Sequence, residues 1–310
     1  MSIRDALKYL ASIIVIYYII NEFGINISNI LSIIDPRYIL LIVLVSIFQH
    51  ILSAYRWMYI SKVTNLNISF SHSIQFYYIS TFMNNILPGG IMGDIFRIYY
   101  TSEKKNEILK MGKSMQSVIF ERLSGQIMLL AFFVVSLTIY FLINQKYEAF
   151  LYLFFPSISI FILFKYFLNQ KIKKILGKKQ ISQNLYMVFT GEIFWRHLTL
   201  SFFVVCSYIL IYIISAVSLG LNIDYLSFLV FSPIILFSMT LPISVGGWGI
   251  RELTALLLSL LLGLSASASI SVSIIYGILN LLCSLPGLYF FMKIKLNSYH
   301  IVYLCPLYYM

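Results

Sequence analysis

Charged residues are scarce in this sequence. Only 11% of its 310 residues are Asp, Glu, Lys or Arg, and 60% are apolar, whereas about a quarter of the residues in a soluble domain are charged. A water-soluble fold is excluded because it would expose too much apolar surface. Three cysteines and 15 glycines exclude a disulfide scaffold and a collagen-like chain. The remaining class is an all-α polytopic membrane protein with room for about eight to ten membrane segments.

Motifs for cofactor chemistry are also missing from the sequence. No Walker, Rossmann, zinc or Ser/His/Asp pattern is present, and the four histidines have no metal-ligand spacing. We therefore expect no cofactor, no metal site and no catalytic residue, which favours a transporter over an enzyme. The net charge of +11 comes from basic residues in loops between apolar runs, so we expect contact with lipid headgroups and not with nucleic acid.

Apolar runs predict six spanning helices and two interrupted stretches. The helices are expected at about 7–23, 38–60, 114–143, 150–168, 196–219 and 267–292. The stretches 73–98 and 226–263 contain Leu-Pro-Gly-Gly and Leu-Pro-Ile-Ser-Val-Gly-Gly-Trp-Gly, respectively. Since proline removes a backbone donor and glycine loosens a helix, each stretch should break near its middle.

The distribution of basic residues predicts that both interrupted stretches are re-entrant hairpins. With a cytoplasmic N-terminus, the inside segments then hold 17 of the 22 basic residues, including Arg56 and six lysines within 165–179. A full crossing at either stretch would move the later basic loops to the other side. The sequence therefore predicts a multi-pass protein of the plasma membrane with its N-terminus in the cytoplasm.

The two halves of the chain have the same order of elements. Each half reads helix, helix, broken hairpin, helix, at about 7–143 and 150–292. Three crossings per half invert the second copy relative to the first, which is an arrangement typical of secondary transporters. We expect one membrane domain, 1–295, followed by a short interfacial tail, 296–310. The alternative is a chance division of eight apolar runs.

The first candidate site is the first interruption and the residues after it. Charges at membrane depth are costly when unpaired, so Asp94 and Arg97 are expected to pair with each other or with the second hairpin. Arg97 could hold a phosphate, or it could simply reach cytoplasmic headgroups. The candidate binding residues here are Asn85, Pro88, Gly89, Gly90, Asp94 and Arg97.

A second candidate site is the pair Glu121-Arg122, about two turns inside an apolar helix. Adjacent helical residues point in different directions. Each side chain is therefore expected to have its own polar partner in the bundle interior, unless both extend to the headgroups.

The third candidate site is the second interruption. A glycine-rich turn before a helix offers free N–H groups to an anion, and Arg251 could add a bidentate donor while Glu252 neutralises it in the absence of ligand. The candidate binding residues are Ser244, Gly246, Gly247, Gly249, Arg251 and Glu252.

These three stretches together resemble the membrane domain of the lysylphosphatidylglycerol synthase family, also described as flippase-like. They read N-x-x-P-G-G-x-x-G-D-x-x-R from Asn85, Glu-Arg at 121–122, and L-P-I-S-x-G-G-x-G-x-R-E from Leu241. The resemblance covers nearly the whole chain and implies lipid movement or lipid-carrier handling. The sequence lacks the soluble aminoacyl-transfer domain of the synthases, so lysine transfer is not implied.

We therefore expect a flippase-like protein that moves an anionic phospholipid or a polyprenyl-phosphate-linked lipid between leaflets. Its ligand would be a membrane lipid with a phosphate-containing headgroup, and a lipid-synthesis enzyme is a further possible partner. The alternative is a membrane subunit or intramembrane enzyme of lipid-linked glycan or envelope-lipid synthesis, with Asp94, Glu121 or Glu252 as acid or base. A scaffold for a neighbouring synthase is the third reading.

Overall fold

The computed structural model describes residues 3–24, 32, 34–102, 107–144, 179–189, 193–241 and 244–297. The predicted helix 150–168 and residues 298–310 of the predicted tail lie outside these ranges. The described part of the chain contains eleven helices and no strand longer than an isolated bridge. The helices are α1 Ile3–Glu22, α2 Pro36–Val63, α3 Phe70–Ile86, α4 Met92–Ser102, α5 Glu107–Ile143, α6 Lys179–Phe189, α7 Phe194–Ser218, α8 Tyr225–Ser238, α9 Ile250–Leu257, α10 Ala266–Ser284 and α11 Pro286–Asn297.

Polar side chains fix where several helices begin. Asp35 accepts the Arg37 N–H at 2.9 Å before α2, and Pro36 occupies the first helical turn, where its missing N–H is not needed. Ser69, Asp224 and Ser265 accept backbone N–H groups in the same way before α3, α8 and α10. These caps supply acceptors that the first turn of a helix lacks.

Four described segments are long and apolar enough to cross a membrane, which makes the protein multi-pass. They are Pro36–Val63, Met111–Ile143, Phe194–Ser218 and Ala266–Ile294. These four match predicted spanning helices. The fifth, at 7–23, is present as α1, although its apolar part Ser12–Glu22 is shorter than the other four.

Both predicted interruptions are present, and they meet. The first break, residues 87–91, separates α3 from α4, and the second break, residues 239–249, separates α8 from α9. Pro88 and Val245 form an antiparallel β-bridge, and the Gly89 N–H donates to the Ser244 carbonyl at 3.0 Å. A backbone N–H of the first break therefore finds its acceptor in the second break, in the other half of the chain.

Helix packing in the first half has a counterpart in the second. Helices α2 and α7 pack extensively against each other. Helix α3 of the first half packs on α10 and α11, and its counterpart α8 packs on α5. Likewise, α4 packs on the following long helix α5, and its counterpart α9 packs on α10. The largest buried apolar cluster includes Tyr212, Phe228, Ile235 and Tyr276 and is formed mainly by α7, α8 and α10.

Helix α6 was not predicted. Its first residues are polar, Lys-Gln-Ile-Ser-Gln-Asn, and Lys179 was assigned to a basic loop. Only one face is apolar, where Val188 is buried beside Ile60 and Phe120. Asn184 also donates to Gln116 at 3.1 Å. A search for continuous apolar runs misses such a helix because its stabilisation comes from one buried face.

Candidate functional site

A cavity of about 220 Å³ lies beside the first break. Helices α2 to α5 contribute its charged wall, and α7, α8 and α10 contribute the opposite wall. Half of the predicted binding residues line this cavity, namely Asn85, Gly90, Asp94, Arg97, Glu121, Arg122 and Gly246. The other half do not line it, namely Pro88, Gly89, Ser244, Gly247, Gly249, Arg251 and Glu252.

The charged side chains of the cavity form a continuous series of ion pairs. We call Arg56, Glu121, Arg97, Asp94 and Arg122, in this order, the charged row. Glu121 pairs with Arg56, and its second oxygen lies 3.3 Å from Nη2 of Arg97. Asp94 pairs with both Arg97 and Arg122. The signs alternate along the row, so each carboxylate lies between two guanidinium groups.

Local backbone geometry places Asp94 at the centre of this arrangement. Asp94 is in the first turn of α4, where the helix dipole favours a negative charge, and it accepts a hydrogen bond from Ser80 at 3.2 Å. The N–H of Gly93 donates to the Asn84 side chain at 2.8 Å. A Cβ at Gly93 would collide with the Ser80 backbone, so glycine is required for α4 to lie this close to α3.

Aromatic rings fix the position of Arg97. Its guanidinium carbon lies 4.9 Å from the ring centres of both Trp57 and Tyr77, at a distance where a cation is attracted to the ring face. Arg97 is only 3% exposed, and its Nε and Nη1 have no hydrogen-bond partner among the described residues. Since a buried donor without a partner is costly, these N–H groups are suited to a ligand or to water.

Arg122 is the most accessible member of the charged row. Its side chain is 29% exposed, whereas the other four are 7% exposed or less. Arg122 also donates to the Gly90 carbonyl in the first break. It therefore connects the charged row to the irregular backbone and remains reachable from the cavity.

The second break has a different arrangement, in which its charges satisfy each other. Arg251 donates to the adjacent Glu252, with Nε 3.0 Å from Oε1, and to Ser273 at 3.1 Å. The other carboxylate oxygen of Glu252 accepts the Gly249 N–H at 2.7 Å. The predicted neutralisation of Arg251 by Glu252 is confirmed. Glu252 also occupies the Gly249 N–H group, which was expected to face an anion.

Packing seals this pair from the cavity. Arg251 and Glu252 are each 1% exposed. The Arg251 guanidinium lies 4.7 Å from the Trp248 ring centre and 5.6 Å from that of Tyr276. A Cβ at Gly277 would collide with it, so the missing side chain of Gly277 provides the space for Arg251. Ligand contact by this pair stays a prediction.

Asn85 links the first break to α10 and to the second break. It donates to Ser284 at 3.3 Å and accepts from Asn280 at 3.4 Å. A Cβ at Gly246 would collide with the Asn85 backbone, and Gly246 has a φ of +57°, a conformation that glycine adopts readily. The two halves of the chain therefore touch at the edge of the cavity.

The predictions about pairing are confirmed. Asp94 and Arg97 pair with each other, while Glu121 and Arg122 pair with different residues in the bundle interior. Arg56 was counted with the cytoplasmic segments, and its side stays a prediction; the structure shows that it lies inside α2, is 3% exposed and is paired with Glu121. Its position within the predicted helix 38–60 was the available signal, since an arginine inside an apolar run needs a partner.

Other residues of the site carried no signal in the sequence. Trp57, Tyr77 and Asn280 are typical of apolar and interfacial helix surfaces. Their roles depend on contacts with distant segments. Among the described residues, no group of three or more His, Cys, Asp or Glu side chains could hold a metal ion.

Comparison with known proteins gives one match. The sequence model of the lysylphosphatidylglycerol synthase TM region matches residues 6–287. No curated protein and no solved structure matches the chain significantly.

Proposed function

The chain belongs to the family of the lysylphosphatidylglycerol synthase transmembrane region, and from this premise we propose that it translocates an anionic lipid between the leaflets of a membrane. Family and apolar helices together indicate a multi-pass integral membrane protein of lipid synthesis or translocation. The proposed substrate is a phospholipid or a polyprenyl-phosphate-linked lipid. Its phosphate-containing headgroup would occupy the cavity while its tails remain in the bilayer.

The observation that carries this proposal is the charged row beside an open cavity. Its three arginines outnumber its two carboxylates. Arg122 is partly exposed, and two buried donors of Arg97 have no partner in the part of the chain that the structure describes. Guanidinium groups bind phosphate through paired N–H donors, so a phosphate here would satisfy both residues.

We also propose that the fold is an inverted repeat with two re-entrant hairpins, α3–α4 and α8–α9, inside one domain spanning 1–295. The matched packing of the two halves supports this. So does the bridge between Pro88 and Val245, each of which immediately precedes two glycines. Paired broken segments at the interface of two repeats are the usual substrate site of secondary transporters.

Rocking of one repeat against the other would expose the headgroup site to each leaflet in turn. The contacts that would break and re-form are those between the two breaks, at Pro88 and Val245 and at Asn85 and Gly246. Among the described residues of the two breaks, a single backbone hydrogen bond, from Gly89 to Ser244, joins them. This is compatible with a moving interface.

The proposed location is the plasma membrane, with a cytoplasmic N-terminus. The excess of lysine and arginine in alternate loops supports this orientation, and removing the buried Arg56 from the count leaves 16 of 22 basic residues on one side. Labelling of single cysteines at positions 37 and 196 with a membrane-impermeant thiol reagent tests the orientation. The cysteine at position 37 should be labelled from the outside, and the cysteine at position 196 should be protected on the inside.

The family description itself favours a second candidate, a membrane subunit of lipid synthesis. The matched region is that of a synthase, so a lipid-synthesis enzyme is a candidate partner. The carboxylates of the charged row and Glu252 are all ion-paired with arginine. Because guanidinium groups already occupy these carboxylates, none of them is free to act on a substrate as an acid or base. We therefore prefer translocation.

A transport assay in liposomes tests the proposal. The purified chain is reconstituted with headgroup-labelled phosphatidylglycerol, and the loss of label after adding a membrane-impermeant quencher measures translocation. We expect transport by the wild type and a loss of at least about tenfold in Arg122→Gln, because the accessible guanidinium contributes a charge-assisted bond to phosphate.

Arg196→Gln is the matched control, since Arg196 is exposed and lies outside the cavity lining. Equal transport by wild type and Arg122→Gln would refute the assigned site. Absence of transport with both phosphatidylglycerol and a polyprenyl phosphate, in folded protein, would favour the synthesis subunit. Turnover of a lipid-linked sugar without a partner would favour an enzyme.

A further inference from the structure

The cavity has a simple charge pattern. Among its described lining residues, the ionisable acids and bases with a full charge are the five members of the charged row. Three guanidinium groups and two carboxylates give this lining a net charge of +1. The second break contributes nothing to this balance, because Arg251 and Glu252 cancel each other and do not line the cavity.

The excess charge is located where a ligand can reach it. Arg56 and Arg122 are the two ends of the charged row, and each is paired with one carboxylate. Arg56 is sealed and also donates to Ser201 at 3.3 Å, whereas Arg122 is partly exposed. An uncompensated charge near the bilayer interior is unfavourable, so a ligand with one negative charge would complete the alternation of signs.

The same pattern disfavours a cationic headgroup. Each carboxylate of the described lining already contacts two arginines. An ammonium group would find no free carboxylate there and would face a positive lining. Selectivity of this kind comes as much from the repulsion of the wrong ligand as from attraction of the right one.

Neutral polar groups complete the site. Asn84, Thr240 and Asn280 also line the cavity. Amides and hydroxyls bind uncharged hydroxyl groups. These residues are suited to the glycerol or sugar part of a headgroup attached to the phosphate.

From this balance we infer that the cavity selects lipids whose headgroup is a phosphodiester with one net negative charge, and rejects zwitterionic and aminoacylated headgroups. This inference rests on the proposed function for the location of the ligand, but it concerns selectivity and can fail separately. Phosphatidylglycerol and a polyprenyl phosphosugar both carry this chemistry. Lysylphosphatidylglycerol, whose headgroup is cationic, is expected to be excluded.

Binding to the full-length chain in phosphatidylcholine nanodiscs tests the inference. The probes are fluorescent phosphatidylglycerol, polyprenyl phosphosugar, phosphatidylethanolamine and lysylphosphatidylglycerol. We expect the first two to bind at least about tenfold more tightly than the last two. Tighter binding of only one of the two lipids with a single net negative charge would identify the lipid class and would still support the inference.

Gln126→Glu is the decisive variant. Gln126 lines the cavity one turn after Arg122 on α5, so a carboxylate there can pair with Arg122 and brings the net charge of the lining to zero with little change in shape. We expect the preference for headgroups with one net negative charge to fall at least about tenfold. Arg122→Gln makes the same change of charge by removing the cation, and Arg196→Gln is the control that keeps the preference.

Equal binding of all four lipids would overturn the inference, and so would an unchanged preference in folded Gln126→Glu and Arg122→Gln. Selective binding without translocation in liposomes would refute the proposed function alone. Translocation of every headgroup at the same rate would refute the inference alone.

Discussion

The two breaks of this protein have similar backbones and different chemistry. Each contains two consecutive glycines with positive φ, 84° and 59° in the first and 57° and 83° in the second. Each is followed by a short helix with an acid and an arginine near its start. In the first break these charges join partners on α2 and α5 and face a cavity. In the second they close on each other and on Gly249.

The number of partners explains this difference. Asp94 is shared by two arginines, one of which is partly exposed, so the first break retains an excess of positive charge. One carboxylate oxygen of Glu252 accepts from Arg251, and the other accepts the Gly249 N–H at the N-terminus of α9. A glycine-rich turn followed by charged residues can therefore form either a cluster that lines a cavity or a self-contained pair, and the neighbouring helices decide which.

The largest expected effect is the loss of stability in Glu252→Gln. Glu252 is the carboxylate paired with Arg251 in the described part of the chain, and its removal leaves a buried guanidinium uncompensated. The loss of one partner from a buried pair costs about 3–5 kcal/mol. Thermal unfolding in detergent, followed by size-exclusion chromatography, should show a much lower transition temperature.

Arg122→Gln is the control for this comparison, because Asp94 keeps Arg97 as its partner. It should lower the stability by less than about 1 kcal/mol while impairing lipid binding. If Glu252→Gln and Arg122→Gln lowered the stability equally, the greater burial of the Arg251–Glu252 pair would not determine its contribution to stability.

The second prediction tests whether the breaks move apart. Residues paired in an antiparallel bridge have Cα atoms about 4.5–5.5 Å apart, within the range that a disulfide can span. Cysteines at Pro88 and Val245, in a background without the native cysteines, should therefore cross-link under oxidation. We expect transport to fall at least about tenfold and to recover in reductant, because alternating access requires relative movement of the repeats.

Each single-cysteine variant controls for the substitution itself. Full transport by the oxidised, cross-linked protein would mean that the contact between the breaks is a fixed scaffold. Both breaks would then have a structural role, despite their different charges.

A third comparison uses one glycine beside each charged cluster. A Cβ at Gly277 would collide with Arg251, whereas a Cβ at Gly125 would lie 3.7 Å from Arg56, an ordinary contact. Gly277→Ala should therefore destabilise the protein by about 1–3 kcal/mol. Gly125→Ala should be neutral or should stabilise α5 by up to about 1 kcal/mol, since alanine favours the helix.

Detergent unfolding of the two alanine variants measures both effects. Equal stability of Gly277→Ala and the wild type would contradict the tight packing around Arg251.

The smallest predicted effect concerns the helices that lead into the breaks. Ser69 caps α3, whereas Asp224 caps α8 and accepts from Ser227 at 2.6 Å. Hydrogen bonds from the Ser227 hydroxyl and from the N–H groups of Leu226 and Ser227 lower the pKa of Asp224. A lowered pKa in the folded state gives stability that is present above the unfolded pKa and is lost as the pH falls through the folded pKa.

Lowering the pH below about 4 should thus weaken the cap of α8 and not that of α3. Asp224 is largely exposed, so the loss should remain below about 1 kcal/mol. Asp224→Asn keeps a capping side chain without a titrating group. Its unfolding transition should therefore vary less with pH than that of the wild type, and an equal variation would assign the pH dependence to other groups.

Local chemistry made part of the fold predictable. The Pro/Gly clusters located both breaks because they change the backbone directly, and apolar length located α2, α5, α7 and α10. Helix α6 was missed because its sequence is polar and only one face is buried. The predicted helix 150–168 lies outside the described residues.

The site was less predictable because its partners come from distant segments. Rarity of charge identified Asp94, Arg97, Glu121 and Arg122, and the need for pairing predicted that they have partners. The same rule applied to Arg56 would have completed the charged row. The sequence could not predict that the Arg251 side chain is sealed from the cavity, since this depends on the space that Gly277 leaves on α10.

The contact between the breaks has a consequence for biosynthesis. The Gly89 N–H donates to Ser244, a residue made about 155 positions later in the chain. At about 5–20 residues per second, this acceptor is synthesised roughly 8–30 s after its donor. During that interval the first break has no second break to pair with, and irregular backbone of this kind is not tolerated in contact with lipid. The insertion machinery or water must therefore hold the first half until the second half arrives, which makes completion of the chain a step in folding the site.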